Sequence, residues 1–306
     1  MFQIQDKLLG RNHPNTLETL KSLAVTCLFY GKYVQAEELH QTLYAIEEKI
    51  LDPHHPKVLI TKNNIGVLCI HQGKYTQAKA IFQDIIQLKG EPLHTITLRS
   101  RNHLGMAHCK LGEYDTAQNI YMDVLEKRVT TLGATHSDTL TTRNNLAVVY
   151  MHQGKYALAE KMFLDIIETR LNILGENHKD TVTSKKDLAV LYEKQGRYNQ
   201  AEELLQNVLP INEKILGSDH PDTLTIKHNL AVVYQGQQKF ANAVQLYEDV
   251  LAKRRIMLGP DHPDTIVTGH NLATACQHID PLLMCDHMQP ANVLEFTDLT
   301  ETSSTC

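Results

Sequence analysis

The chain has 306 residues, with 30 Lys and Arg against 35 Asp and Glu, giving a formal net charge of −5 at pH 7 and an isoelectric point of about 6.4. Hydrophobic residues at 42%, charged residues at 21%, and only 15 Gly and 10 Pro make an ordinary globular balance and exclude a low-complexity or collagen-like chain. There is no basic field for nucleic acid, no run near the roughly 18 apolar residues of a membrane helix, and no secretory signal in MFQIQDKLLG, so we read a cytoplasmic protein with no membrane partner, its six cysteines free thiols.

The first eight residues read as the tail of a helix, because Asp6-Lys7-Leu8-Leu9-Gly10 matches Glu213-Lys214-Ile215-Leu216-Gly217. The match predicts an array that begins further upstream. From Leu9 onward the sequence repeats itself: Leu9 and Leu51 lie 42 residues apart, as do Leu132, Leu174, Leu216 and Leu258, while Leu51 to Gly90 is 39. Six full units and a seventh first helix thus occupy residues 9–278, and a fixed period of this size means a stacked array rather than two ordinary domains. Residues 279–306 leave the pattern and read as an irregular tail.

Each unit reads as helix, turn, helix. The first helix carries a Leu or Ile column (Leu104, Leu146, Leu188, Leu230) followed by a small one (Gly66, Gly105, Ala147, Ala189), which lets a second helix approach closely. The turn is marked by Gly31, Gly73, Gly112, Gly154 and Gly196, with Gln238 as the departure, and an aromatic residue opens the second helix two positions on. Units meet at Leu-Gly-x-x-His-Pro-Asp-Thr, where Gly stops one helix, His caps the next, Pro takes its first position and Asp its first turn. That boundary puts one His in each unit (His13, His55, His94, His136, His178, His220, His262), spaced along successive turns; a metal site needs ligands converging to about 2.0–2.3 Å of one ion. No metal and no cofactor are expected. Pro210 falls inside a second helix, where it predicts a kink or a cost of about 3 kcal/mol, and the residues missing near Lys89–Pro92 predict a local bend. A basic column, Lys62, Arg101, Arg143, Lys185 and Lys227, falls on the core side of the first helix, so its stems pack while its heads reach solvent or a neighbouring acid. No hydrolase, phosphate-loop, zinc-protease or dinucleotide motif is present, and no catalytic residues are assigned.

The N-N-L-A-V-V-Y and Q-G-K-Y-x-x-A-E segments (Asn144–Tyr150 and Gln153–Glu160) resemble the tetratricopeptide motif, and the 42-residue period with its LGxxHPDT linker resembles the kinesin light chain and nephrocystin type, over about 270 residues. The resemblance implies an all-α, right-handed superhelical solenoid whose first helices line a concave groove, and a non-enzymatic adaptor or scaffold that binds peptide segments of partner proteins. Two other readings stay open: an assembly module that uses its convex face, and an array belonging to a larger signalling protein.

A helical wheel with Leu146 at 0° and about 100° per residue puts the core near 50° and leaves Thr141, Asn144, Val148, Met151 and His152 on the far arc. The candidate groove residues are therefore Asn63, Asn102, Asn144, Lys186 and His228 in one column and Lys110, His152 and Lys194 in another. Charged members of the arc are Lys21, Arg99, Lys110, Lys186 and Lys194 against Glu18 and Glu193, a mildly basic stripe that favours peptides bearing Asp or Glu. Because Asn102 and Asn144 face away from the core on this wheel, replacing both with Ala is expected to leave the fold intact.

Overall fold

A computed structural model describes residues 2–87 and 94–279; the shortened segment at Lys89–Pro92 and the tail from residue 280 lie outside the described residues. Within them are fourteen α-helices and no strand. After α1 (Phe2–Leu9), the first helices of the units are α2 (Pro14–Phe29), α4 (Pro56–His71), α6 (His94–Lys110), α8 (Ser137–His152), α10 (Lys179–Lys194), α12 (Pro221–Gly236) and α14 (Pro263–Cys276). The second helices are α3 (Tyr33–Ile50), α5 (Tyr75–Gln87), α7 (Tyr114–Leu132), α9 (Tyr156–Leu174), α11 (Tyr198–Leu216) and α13 (Phe240–Leu258). Consecutive helices pack antiparallel, and each first helix also touches the first helix of the next unit, which makes the chain a solenoid.

The punctuation acts as its chemistry requires. His13, His55, His136, His178, His220 and His262 sit at helix N-caps with extended backbone, and each ring Nδ1 accepts the backbone N–H two residues on at 3.1–3.2 Å. Gly31, Gly73, Gly112, Gly154 and Gly196 hold φ between +71° and +77°, and Gln238 adopts φ +63° at the same place. A side chain there is strained by about 1–2 kcal/mol. Helix α11 runs through Pro210 as one element from Tyr198 to Leu216.

Packing follows the small columns. A Cβ at Gly66 would stand 2.6 Å from the Phe82 ring and one at Gly105 2.8 Å from Tyr121, so the aromatic of the second helix lies directly on the first. Where Ala147 and Ala231 replace Gly, Phe163 and Tyr247 still pack there, fully buried. In the first unit that aromatic is replaced by His40, also fully buried, with neither ring nitrogen hydrogen-bonded among the described residues.

Polar rungs join one unit to the next. Buried Arg128, Arg170 and Arg254 on the second helices each donate to a backbone carbonyl (Asp138, Asp180, Asp264) and to a hydroxyl (Thr142, Ser184, Thr268) of the following first helix, at 2.6–3.1 Å. Glu47 and Asn212 fill the same place with single bonds to Thr61 and Thr223. The basic column of the first helices reaches acids as expected: Lys62 to Asp84, Arg101 to Asp123, Arg143 to Asp165, Lys227 to Glu213 and Asp249, and Lys185 to Glu176.

The solenoid also touches itself across one superhelical turn. The C-terminal ends of α2 and α4 abut the N-terminal starts of α12 and α14, 191 residues further on in both cases: His220 Nε2–H donates to Phe29 O at 2.7 Å and His262 Nε2–H to His71 O at 2.8 Å. Pro221 and Met257 lie so close to Gly31, and Pro263 to Gly73, that a Cβ at either glycine would stand 2.7 Å from a proline ring. Leu258 packs beside Cys27, Tyr33 and Leu68. Each contact sets the negative end of one helix dipole against the positive end of another.

Candidate functional site

The first-helix columns divide differently from the wheel. Asn63, Asn102, Asn144 and His228 are buried, at 2–8% exposure, in the seam between consecutive first helices, and Met151 is buried with them. Asn63 accepts from Ser100 at 3.1 Å, Asn102 from Thr142 at 3.2 Å and Asn144 from Ser184 at 2.8 Å, while Asn144 also donates to Asp187 at 2.7 Å. His228 stands 3.3 Å from the Thr268 hydroxyl, and burial pushes its pKa down to about 4. The expectation that Asn102 and Asn144 face away from the packed interior is thus corrected: a first helix in a solenoid is covered by two second helices and two first helices, and its buried arc extends well past the half-circle of a simple amphipathic helix. Lys186 of the same column is half-buried and ion-paired to Asp187 at 3.4 Å, which raises its pKa.

Lys110, His152 and Lys194 are exposed, in the last turns of α6, α8 and α10. They end a stripe spaced i, i+4, i+7, i+11: in α8 Thr141, Asn145, Val148 and His152, in α10 Thr183, Asp187, Val190 and Lys194. Its middle column, which the wheel passed over, is Asn64, His103, Asn145, Asp187, Asn229 and Asn271, all half-buried. The sequence signal was the paired Asn-Asn or His-Asn step, in which the first residue goes to the seam and the second to the open stripe. Asn64 and Asn229 make no side-chain hydrogen bond among the described residues, whereas the apolar column beside them (Val67, Met106, Val148, Val190, Val232) supplies a floor. Charges on the stripe are Arg99, Lys110 and Lys194 against Glu18 and Asp187.

Between α10, α11 and α12 the stripe deepens into a cavity of about 50 Å³, lined by Val190, Glu193, Asn229 and Val232 among others. Burial raises the Glu193 pKa. His152, one edge exposed and one face stacked on Tyr114 at 5.0 Å, is held below its ordinary value by the desolvation of that covered face and by Lys194 and Lys110, and His103 is pushed down to about 4, chiefly by burial. The stripe therefore offers neutral imidazoles, free amides and a few cations, groups that hold a backbone or a carboxylate. Among the described residues no three His, Cys, Asp or Glu side chains converge as metal ligands would, and no helix is long and apolar enough to cross a membrane.

The sequence profile of the tetratricopeptide repeat matches residues 30–91, 57–128, 94–170, 138–214, 180–256 and 222–280. Among curated proteins no sequence matches this chain. Among solved structures, a Podospora anserina putative kinesin light chain with nearly identical tetratricopeptide-like repeats is 30% identical, covering 59% of this chain and 86% of that one, with a TM-score of 0.48. NprR in complex with its cognate peptide NprX is 16% identical and covers 84% of this chain and 76% of its own, at a TM-score of 0.60. A Thermus thermophilus tetratricopeptide protein is 16% identical, covering 72% and 99%, at 0.51.

Proposed function

Because the chain belongs to the tetratricopeptide repeat family, whose members are in general protein-interaction scaffolds without catalysis, we propose that the stripe of its first helices binds an extended peptide segment of a partner protein. The chain then serves as an adaptor or scaffold of the kinesin light chain kind, in the cytoplasm, without a cofactor. One observation carries this reading: an uninterrupted column of half-buried Asn, His and Asp side chains runs from Asn64 to Asn271 beside a Val and Met floor. Amides unpaired among the described residues, such as Asn64 and Asn229, can bond a peptide backbone through both donor and acceptor, and the apolar floor takes alternate side chains. Arg99, Lys110 and Lys194 favour segments carrying Asp or Glu.

The reading is tested by selecting binders from a displayed random-peptide library on the purified chain. The selected peptides are then titrated against the chain and against its Asn145→Ala, Asn229→Ala, Lys194→Ala form. Peptides enriched in carboxylates that lose at least about tenfold in affinity, some 1.4 kcal/mol, support it. Unchanged affinity in a variant with the same helical circular dichroism moves binding to another face.

A further inference from the structure

The contact between superhelical turns is a module, and among the described residues two of its four His-Pro starts make no such contact. It pairs a Gly turn with a His-Pro helix start: Gly31 with His220-Pro221 and Gly73 with His262-Pro263. His-Pro stands at two other unit starts, His13-Pro14 and His55-Pro56, while the third, fourth and fifth units carry His94-Thr95, His136-Ser137 and His178-Lys179. Among the described residues nothing lies within 4 Å of a Cβ placed on Gly112 or Gly154, the turns of the third and fourth units. Units in contact stand five apart, first to sixth and second to seventh. In a superhelix continued by another copy, the third and fourth units would meet that copy's first and second, the two that carry the unused His-Pro starts.

The end faces fit the same continuation. Leu23 is 40% exposed, although its column is buried through the third to sixth units, with Leu146 at 4% and Leu188 at 3%. Ile266 on α14 is 53% exposed, against 1% for Leu224 and Leu140 in its column. Each is apolar surface that the interior units cover with a neighbouring unit. Ile4 and Leu8 on α1 add to the first face.

We propose that these two edges form a head-to-tail interface between copies of this chain. His13 and His55 of one copy donate their Nε2–H to Lys110 O and His152 O of the other, with Pro14 against Gly112, Pro56 against Gly154, and α1–α2 laid on α14. The interface is heterologous and does not close on itself, so association continues past the dimer. The association is read at micromolar concentrations and above.

Sedimentation velocity on the full chain, from about 1 to about 300 µM, reads it directly. The weight-average mass should rise steadily from 34.7 kDa to at least about twice that, without a plateau. The Pro14→Lys, Pro56→Lys variant should stay at the monomer mass. Lys already occupies this first helical position at Lys179, so the fold tolerates it and helical circular dichroism should be unchanged. A chain that is monomeric throughout overturns the proposal, since the edges are then covered from within. So does a plateau at twice the monomer mass, which marks a two-fold pairing, or self-association that survives the double variant.

Discussion

Replacing His40 with Phe should stabilise the protein, and stabilise it more as the pH falls. His40 is fully buried in α3 with both ring nitrogens unpartnered among the described residues, and an unpaired buried polar group costs about 1–3 kcal/mol. Phe fits, because the small residue facing it is Ala24, and the same Ala-and-Phe pair stands at Ala147 and Phe163 with both fully buried. At pH 7.5 the gain is therefore about 1–2 kcal/mol. Burial also lowers the His40 pKa from its ordinary 6.5 to about 4. A folded-state pKa below the unfolded one means that stability is complete above pH 6.5 and is lost as the pH falls from there towards 4. Between pH 7.5 and pH 5 the wild type loses about 2 kcal/mol on this account, at 1.36 kcal/mol per unit of pKa difference, and His40→Phe does not. Urea melts of both proteins at the two pH values isolate the difference, because His103 and His228 titrate alike in both. An advantage that is absent at pH 7.5, or that fails to grow at pH 5, would refute the reasoning.

Three further substitutions probe the rungs and the turns. Arg170→Met should cost about 1–3 kcal/mol, because it keeps the buried stem but removes the guanidinium's bonds to the Asp180 carbonyl and the Ser184 hydroxyl; a urea midpoint unchanged within error would contradict it. Asn144→Ala should cost about 1–3 kcal/mol through its lost bonds to Ser184 and Asp187, measured the same way, whereas a residue on the open stripe would cost little. Gln238→Gly should add about 1 kcal/mol by relieving a left-handed side chain, and a lower melting temperature would show that Gln238 makes a compensating contact.

The repeat, the helix pairs and the His caps were legible because they recur in register and are local: a cap, a left-handed Gly and a small residue under an aromatic each depend on a few neighbours in sequence. The Asn column was misplaced because a wheel treats one helix against one core. The seam it occupies is made by the next unit, and its signal lay 37 to 40 residues away, where Ser100, Thr142 and Ser184 stand opposite Asn63, Asn102 and Asn144. Lys186 shows the same rule from its exception: Ile226 stands opposite and offers no hydroxyl, and the lysine turns to Asp187 instead. The arginine rungs were equally visible as Arg128, Arg170 and Arg254 in one column of the second helices, with Thr142, Ser184 and Thr268 each 14 residues on. The contact between turns, at a separation of 191 residues, follows from the superhelical pitch, which no column of the sequence encodes by itself.

That contact and the open stripe meet at the same place on the helices. In the first and second units the last-turn carbonyls, Phe29 O and His71 O, are taken by His220 and His262. In the third and fourth units the corresponding turns are open, and they bear Lys110 and His152, at the end of the stripe read as a peptide site. A carboxylate-bearing peptide that reaches these turns and a second copy that stacks on them cannot both be accommodated, so their affinities must be coupled negatively and reciprocally. Saturating the chain with a selected peptide should therefore lower its weight-average mass at high concentration. A peptide that binds at Asn145 and Asn229 yet leaves the mass unchanged would show that the ligand stops short of the last turn, and that the cations there serve the outer edge alone.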